Sequence, residues 1–473
     1  MQTVVRPNFL FFLPDQHRPD WVPWQTAGTA GTAGTQSAPE ARELPLRMPH
    51  LAAIAARGVR FTRALCPSPL CAPSRACLAS GREYDRCGVL NNHFDYPLEQ
   101  PTYYQSLRDA GYRVAGVGKF DLHKATMDWG LDGSRLLREW GFTDGIDNEG
   151  KMDAIASYAG NAGARRVGGQ AGTVAPRGPY MAFLEQRGLA ETHMADFQTR
   201  RGSHGHHLTH PTPLPDDAYC DNWIAANGLR FLEEFPPGQP WHLVVNFNGP
   251  HSPMDVTHAM RERWLDARFP LPSGAGFLDA EAQETHNAVR QNYAAMLENI
   301  DAQIGMFLDV LHRRGELERT VIIYSSDHGE MLGDHDRWGK STYFQPAVGV
   351  PLVVAGPGVR PGVMSDALVS MHDLTATFLD YANLPALPGM DSRSLVPVLT
   401  GASETHRPYV RSGLDSWRLV FDGCQKLVQD APSSGESRTL LFDLIEDPSE
   451  TRDLAVARPG EIARLAPLLT PDI

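Results

Sequence analysis

The chain has 473 residues, 42% hydrophobic and 21% charged, with a formal net charge of −13. That composition is ordinary for a soluble globular protein with a large core. The acidic balance argues against nucleic acid as the main partner and disfavours long polyanions.

In chain order, "NFLFFLPDQ" (8–16) reads as a buried strand ending in polar residues. Its apolar part is too short for a signal core, and no run approaches the ~18 apolar residues of a membrane span. "TAGTAGTAGT" (26–35) is a low-complexity repeat, read as a mobile loop. "MPHLAAIAARGVRF" (48–61) reads as a helix closed by Gly58 and then a strand, and "YQSLRDAGYRVAGVGK" (104–119) repeats that pattern. A helix at "DDAYCDNWIAANGLRFLEEF" leads into the strand "WHLVVNFN" (241–248). Tyr293, Leu297, Ile300, Ile304, Phe307 and Leu311 form an apolar stripe at helical spacing, ended by Gly315 before the strand "TVIIYSSD" (320–327).

Helices alternating with apolar strands predict an α/β fold: a large mixed, mostly parallel sheet sandwiched by helices. The Gly-, Arg- and His-rich stretch 122–216 breaks the rhythm and reads as an insertion near the active-site mouth. After about residue 403 the pattern changes to antiparallel strands and a closing helix. The expected division is a catalytic domain over 1–402 and a small C-terminal α+β domain over 403–473. Six cysteines make no disulfide framework, and Cys66, Cys71, Cys77 and Cys87 lack paired zinc spacing. Together with the short apolar run at the N-terminus and the lack of a membrane-span pattern, this leads to the expectation of a soluble cytoplasmic protein.

Polar residues cluster where strands should end: Asp15 and Gln16 after the first, Asp327 and His328 after "VIIYSS". Ligand sites in open α/β sheets lie beyond the carboxyl ends of the strands. Two carboxylates, an amide and an imidazole are a plausible divalent-metal set there. In "LCAPSRACLASGR" (70–82), Pro73 suits the first position of a helix, which puts Cys71 at or just before a helix N-terminus. The helix dipole and Arg75 then predict a low-pKa thiol facing an oxyanion. Cys66 and Cys77 read as buried, inert cysteines.

Cys71-Ala72-Pro73-Ser74-Arg75, followed by Leu78, Gly81 and Arg82, resembles the signature of the sulfatase family in the alkaline phosphatase superfamily. "GYRVAGVGK", "GPHSP", "SSDHGEMLGDH", "WGKS", "VPLVVAGPG" and "LFDLIEDPSETRDLA" follow in family order. The resemblance implies an alkaline phosphatase-like fold and a sulfuric ester hydrolase. It also implies that a separate formylglycine-generating enzyme oxidises Cys71 to formylglycine. One hydroxyl of the hydrated aldehyde would attack sulfur and expel the alcohol. The other would release the covalent sulfate as the aldehyde re-forms, a route open to neither serine nor intact cysteine.

By the same resemblance, Asp15, Gln16, Asp327 and His328 are metal ligands, with modified Cys71 completing the set. Arg75 braces the formylglycine, Lys119 and Lys340 contact the sulfate oxygens, and His251 binds or protonates the departing group. Where the family often has aspartate and asparagine, this chain has Gln16 and His328. One calcium ion is the expected cofactor, with manganese as the alternative. In "GKFDLHK" (118–124), Asp121 holds the place usual for histidine, and His123 is expected to face the substrate instead. Gly118-Lys119 is not a nucleotide phosphate loop, because Arg113 stands where that motif needs glycine.

"RRGSHGHHLTH" (200–210) reads as a polar loop lining the substrate pocket, with a second metal on its four histidines as the alternative. Arg200 and Arg201 read as solvated or substrate-facing. The expected substrate is a small aryl or alkyl sulfate ester. The enzymatic alternative is a phosphonate monoester or phosphodiester hydrolase, since relatives of that kind often show the Asp-Gln and Asp-His pairs. The non-enzymatic alternative is an unmodified anion-binding protein.

Overall fold

The computed structural model describes residues 6–24, 44–164, 176–201, 206–433 and 435–470. The repeat at 26–35 lies outside them.

Eight strands form the main sheet: β1 (Asn8–Phe12), β2 (Gly58–Leu65), β3 (Arg113–Gly118), β4 (Asp144–Asp147), β5 (Trp241–Asn246), β6 (Thr320–Tyr324), β7 (Leu352–Ala355) and β8 (Val363–Ser370). Their order is β4-β3-β5-β1-β6-β7-β2-β8. All pairings are parallel except those of β7, which runs against both β6 and β2. The ends of β1, β2, β3, β5 and β6 therefore open on one edge of the sheet. β1 sits between β5 and β6, with Phe12 opposite Val245 and Tyr324, so the residues after β1 and β6 emerge side by side.

The run "FLFFL" is apolar throughout because both faces of β1 are covered. Phe9 and Phe11 pack into one core and Leu10 and Phe12 into the other. Helices α1 (Pro49–Ala56), α4 (Cys220–Glu234) and α5 (Ala280–Arg313) cover the second face. Helices α2 (Cys71–Ser80), α3 (Tyr103–Asp109) and α6 (Asp373–Tyr381) cover the first. The predicted stripe from Tyr293 to Leu311 lies fully buried along α5, and Gly315 follows that helix in the left-handed region at φ +66°. Gly58 has a different reason from the predicted one. It opens β2 rather than capping α1, and a Cβ there would fall 2.1 Å from the Val354 carbonyl oxygen on β7.

The stretch 122–216 carries β4, the outer strand of the main sheet, together with several helices. Near the C-terminus, β9 (Val410–Leu414), β10 (Trp417–Phe421), β11 (Gln425–Asp430) and β12 (Arg438–Asp443) form a separate antiparallel meander. One of its faces, with Leu419, Val428 and Phe442, joins the core that holds α2. The other, with Val420, Leu427 and Leu441, is covered by Leu465 and Leu469 of the closing segment. The observed class is the expected one: a mostly parallel sheet between helices plus a small antiparallel sheet. No helix among the described residues is long and apolar enough to cross a membrane.

Candidate active site

Cys71 is the first residue of α2, and the whole helix is buried. Pro73 stands third rather than first, still within the turn whose N–H groups have no intrahelical partner. Ser74 is the other hydroxyl or thiol in this turn, and it is committed: its Oγ donates to the Asp327 carbonyl oxygen at 2.6 Å. The Cys71 sulfur faces other groups. It lies 3.8 Å from Asp15 Oδ1, 3.3 Å from His328 Nε2 and 3.2 Å from Lys340 Nζ.

The polar groups around the sulfur arrive from strand ends, except Lys340, which comes from the loop between β6 and β7. Asp15 and Gln16 follow β1, and Asp327 and His328 follow β6. Lys119 follows β3 directly, because Gly118 lets that strand pass close to β5; a Cβ there would fall 1.9 Å from the Asn246 carbonyl oxygen. The Lys119 ammonium pairs with Asp15 Oδ2 and lies 3.2 Å from Asp121. Arg75, one turn along α2 from Cys71, donates from Nε to Asp327 Oδ2 at 3.0 Å and from Nη1 to the Lys119 carbonyl and to Asn246 Oδ1. Its buried Nη2 has no hydrogen-bond partner among the described residues.

The electrostatics follow from this packing. Burial and the Asp15 carboxylate push the Cys71 thiol up, but Lys119, Lys340 and His328 outweigh them, and its pKa falls to about 5. The predicted direction holds, and the two lysines and the imidazole are its largest favourable causes. Burial also opposes the charge on Asp15, yet Lys119, His251, Lys340 and His328 hold it well below the usual carboxylate range. Burial and Lys340 keep the His251 imidazole well below its ordinary value, against the pull of Asp15. Its Nδ1 lies 2.5 Å from the Ser252 carbonyl oxygen. Cys66 and Cys77 behave as the sequence suggests: burial raises both thiols far above the ordinary value.

Asp15, Cys71, Asp327 and His328 each offer a ligand atom, all within 4.8 Å of one another, and all four residues are buried. The set could hold a metal ion. Gln16 fits beside it, since its Oε1 accepts from Lys340 Nζ at 2.7 Å. That amide is oriented by Glu330, a residue the sequence reading missed. Glu330 Oε2 accepts from Gln16 Nε2, while its Oε1 accepts from the Leu332 and Gly339 N–H groups. Only its place in "SSDHGE", three residues after Asp327, hinted at it. Asn246, which holds Arg75, was also missed.

His123 does not join this cluster. Its Nδ1 lies 3.3 Å from Asp147 Oδ2, and its ring packs against Trp129 and Trp140. Asp121, bound to Lys119 and Lys124, is the residue of that pair beside the site. Arg200 also differs from expectation: it is buried, pairs with Asp196 and donates to the carbonyls of Leu208 and His210, so it pins the loop from within. His210 pairs with Asp196, and the rings of His206, His207 and His286 gather around Trp338, two residues before Lys340. His204 lies outside the described residues. Among those described, the loop forms no metal-ligand group.

A model of the Sulfatase family matches residues 33–384, a span that begins after Asp15 and Gln16. The choline-sulfatase of Rhizobium meliloti is 27% identical over 450 residues, covering 88% of this chain and 79% of the relative. The arylsulfatase of Clostridium perfringens is 24% identical over 437 residues, covering 86% and 85%. Among solved structures, the phosphonate monoester hydrolase of Agrobacterium radiobacter superposes with a TM-score of 0.73 at 22% identity, covering 98% of this chain and 95% of that one. With a thiol at a helix start, two strand-end pairs that each carry one aspartate, and two lysines meeting in one pocket, the chain belongs to the Sulfatase family of sulfuric ester hydrolases.

Proposed function

We propose that this protein hydrolyses sulfate monoesters of small aryl or alkyl alcohols. The nucleophile is a hydrated formylglycine made from Cys71 by a separate maturation enzyme, and the reaction passes through a covalent sulfo-enzyme. The observation that carries this reading is the convergence on Cys71 Sγ of Asp15, His328 and Lys340, with Lys119 one contact further out.

Asp15, Gln16, Asp327, His328 and residue 71 would hold one divalent cation, calcium by preference or manganese. A bound cation there withdraws charge from the nucleophile and the ester oxygens. Lys119 and Lys340 place two ammonium groups where the transferring sulfuryl group bears negative charge. Arg75 fixes the helix start against Asp327 and keeps Nη2 free for an oxygen ligand. His251, from the loop after β5, binds or protonates the leaving oxygen. Six cysteines without a disulfide framework suit a reducing compartment, so we read the protein as cytoplasmic.

A second reading is favoured by Gln16 and His328, the two departures from the common ligand set: hydrolysis of phosphonate monoesters or phosphodiesters at the same site. Rates on an aryl sulfate, an aryl phosphonate monoester and an aryl phosphodiester, measured on one preparation, decide between them. The main reading expects the highest kcat/KM on the sulfate. A higher kcat/KM on either phosphorus ester replaces it with the second.

A further inference from the structure

The atoms that meet at Cys71 form a donor set in their own right before any change to the thiol. His328 Nε2 lies 3.3 Å from Cys71 Sγ, 3.6 Å from Asp15 Oδ1 and 3.7 Å from Asp327 Oδ2, and Asp15 Oδ1 lies 3.8 Å from the sulfur. A tetrahedral ion with bonds of about 2.0–2.3 Å sets its ligands about 3.3–3.8 Å apart. Calcium, with longer bonds and narrower angles, needs similar separations, so spacing alone admits either ion. The donor atoms choose between them: one thiolate sulfur, one imidazole nitrogen and two carboxylate oxygens suit zinc, whereas calcium, a hard cation that favours oxygen donors, gains little from a thiolate.

The outer contacts aim each ligand inward. His328 Nδ1 lies 3.0 Å from the Gly329 carbonyl oxygen and donates to it, which leaves the Nε2 lone pair toward the sulfur. Lys119 occupies Asp15 Oδ2 and leaves Oδ1 facing the cluster. Asp327 Oδ1 takes the N–H groups of Gln16 and His328, at 3.0 and 2.9 Å, while Oδ2 accepts Arg75 Nε at 3.0 Å and has a second lone pair for a cation, 3.7 Å from His328 Nε2. Lys340, 3.2 Å from the sulfur, is partly exposed and can withdraw toward solvent when a cation enters.

We propose that the chain with an intact Cys71 thiol binds one zinc-class ion through Cys71, Asp15, Asp327 and His328, and that this preference for a sulfur-binding metal is lost when the sulfur is removed. The inference uses the residues of the proposed active site but none of its chemistry. It concerns the chain before maturation and needs no formylglycine.

The test uses full-length protein made without the maturation enzyme, its thiol verified by mass and its metal stripped by chelation. A Cys424→Ser background removes the one exposed thiol. Zn2+ and Ca2+ are titrated separately, and Co2+ serves as the spectroscopic probe. The expected result is one equivalent of Zn2+ that Ca2+ at equal concentration does not displace, and a near-ultraviolet thiolate-to-cobalt band. Cys71→Ser should abolish the band and weaken Zn2+ at least about 100-fold, a loss that outer-shell changes alone already reach. His328→Gln, which keeps the thiol, should retain the band and weaken Zn2+. Absence of the band in the parent, its persistence in Cys71→Ser, displacement of Zn2+ by Ca2+, or unchanged Zn2+ affinity in both variants overturns the proposal. Ester turnover is measured only on matured protein, so it fails or succeeds independently of these titrations.

Discussion

Lys340 and Gln16, 324 positions apart, are joined by a 2.7 Å hydrogen bond that sets the Lys340 ammonium 3.2 Å from the Cys71 sulfur. The same ammonium thus reads both the reacting residue and one candidate ligand. Lys340→Ala removes a cation aimed at the charge that develops in the transition state. It should lower kcat/KM about 10²–10³-fold, chiefly through kcat, in steady-state kinetics on an aryl sulfate. An effect confined to KM would make Lys340 a ground-state binding group only.

Glu330 acts one step further out. Its carboxylate fixes the Gln16 amide and holds the Leu332 and Gly339 N–H groups on either side of the loop. Glu330→Ala frees the amide to turn, so divalent-metal affinity should fall about 10–100-fold, read by equilibrium titration of the stripped protein. Unchanged affinity would remove Glu330 from the supporting shell.

The small sheet reaches the active-site loop through a buried ion pair. Lys426 pairs with Glu450 and donates to the Tyr343 carbonyl oxygen at 2.8 Å, while Glu450 accepts the Gln345 N–H at 2.5 Å. Glu450→Gln leaves the Lys426 ammonium buried without its counter-ion and should cost about 3–5 kcal/mol in denaturant unfolding. Lys426→Met combined with Glu450→Gln should cost less than the single change, because no charge is then stranded. A double variant less stable than Glu450→Gln would refute this account of the pair.

Glu149 gives the fold a pH dependence of known sign. Burial lifts its carboxyl to about 7, although it accepts the Tyr180 and Met181 N–H groups. A folded-state value above the unfolded one, ~4.3, means that the native state binds the proton more tightly. This contribution to stability is full below pH ~4 and is lost as pH rises to about 7. Glu149→Gln should flatten the unfolding free energy across that window, by on the order of a few kcal/mol. An identical pH profile in the variant would contradict the assignment.

Much of the site is legible in the sequence, for a physical reason. Strand-end polar pairs announce themselves where an apolar run stops, as Asp15-Gln16 and Asp327-His328 do, and a parallel sheet brings such ends to one edge. Cys71 and Arg75 are readable from helix-start chemistry. What escapes depends on loop paths set by distant partners. His123 turns to Asp147, and Arg200 is buried because it caps the carbonyls of Leu208 and His210. Glu330 matters only because Gln16, 314 residues away, lies against it. No local pattern encodes those contacts. The role of Gly58 was misread for the same reason, since the constraint is a β7 carbonyl almost 300 residues further on.

The central claim is that the working nucleophile is residue 71 as an aldehyde hydrate rather than a thiol. Its most direct test is peptide mass spectrometry of residue 71 across preparations with and without a co-expressed maturation enzyme, with aryl sulfate turnover measured on the same samples. The account predicts that turnover rises in proportion to the aldehyde fraction and vanishes at zero aldehyde. Full turnover from protein carrying only intact Cys71 would contradict it.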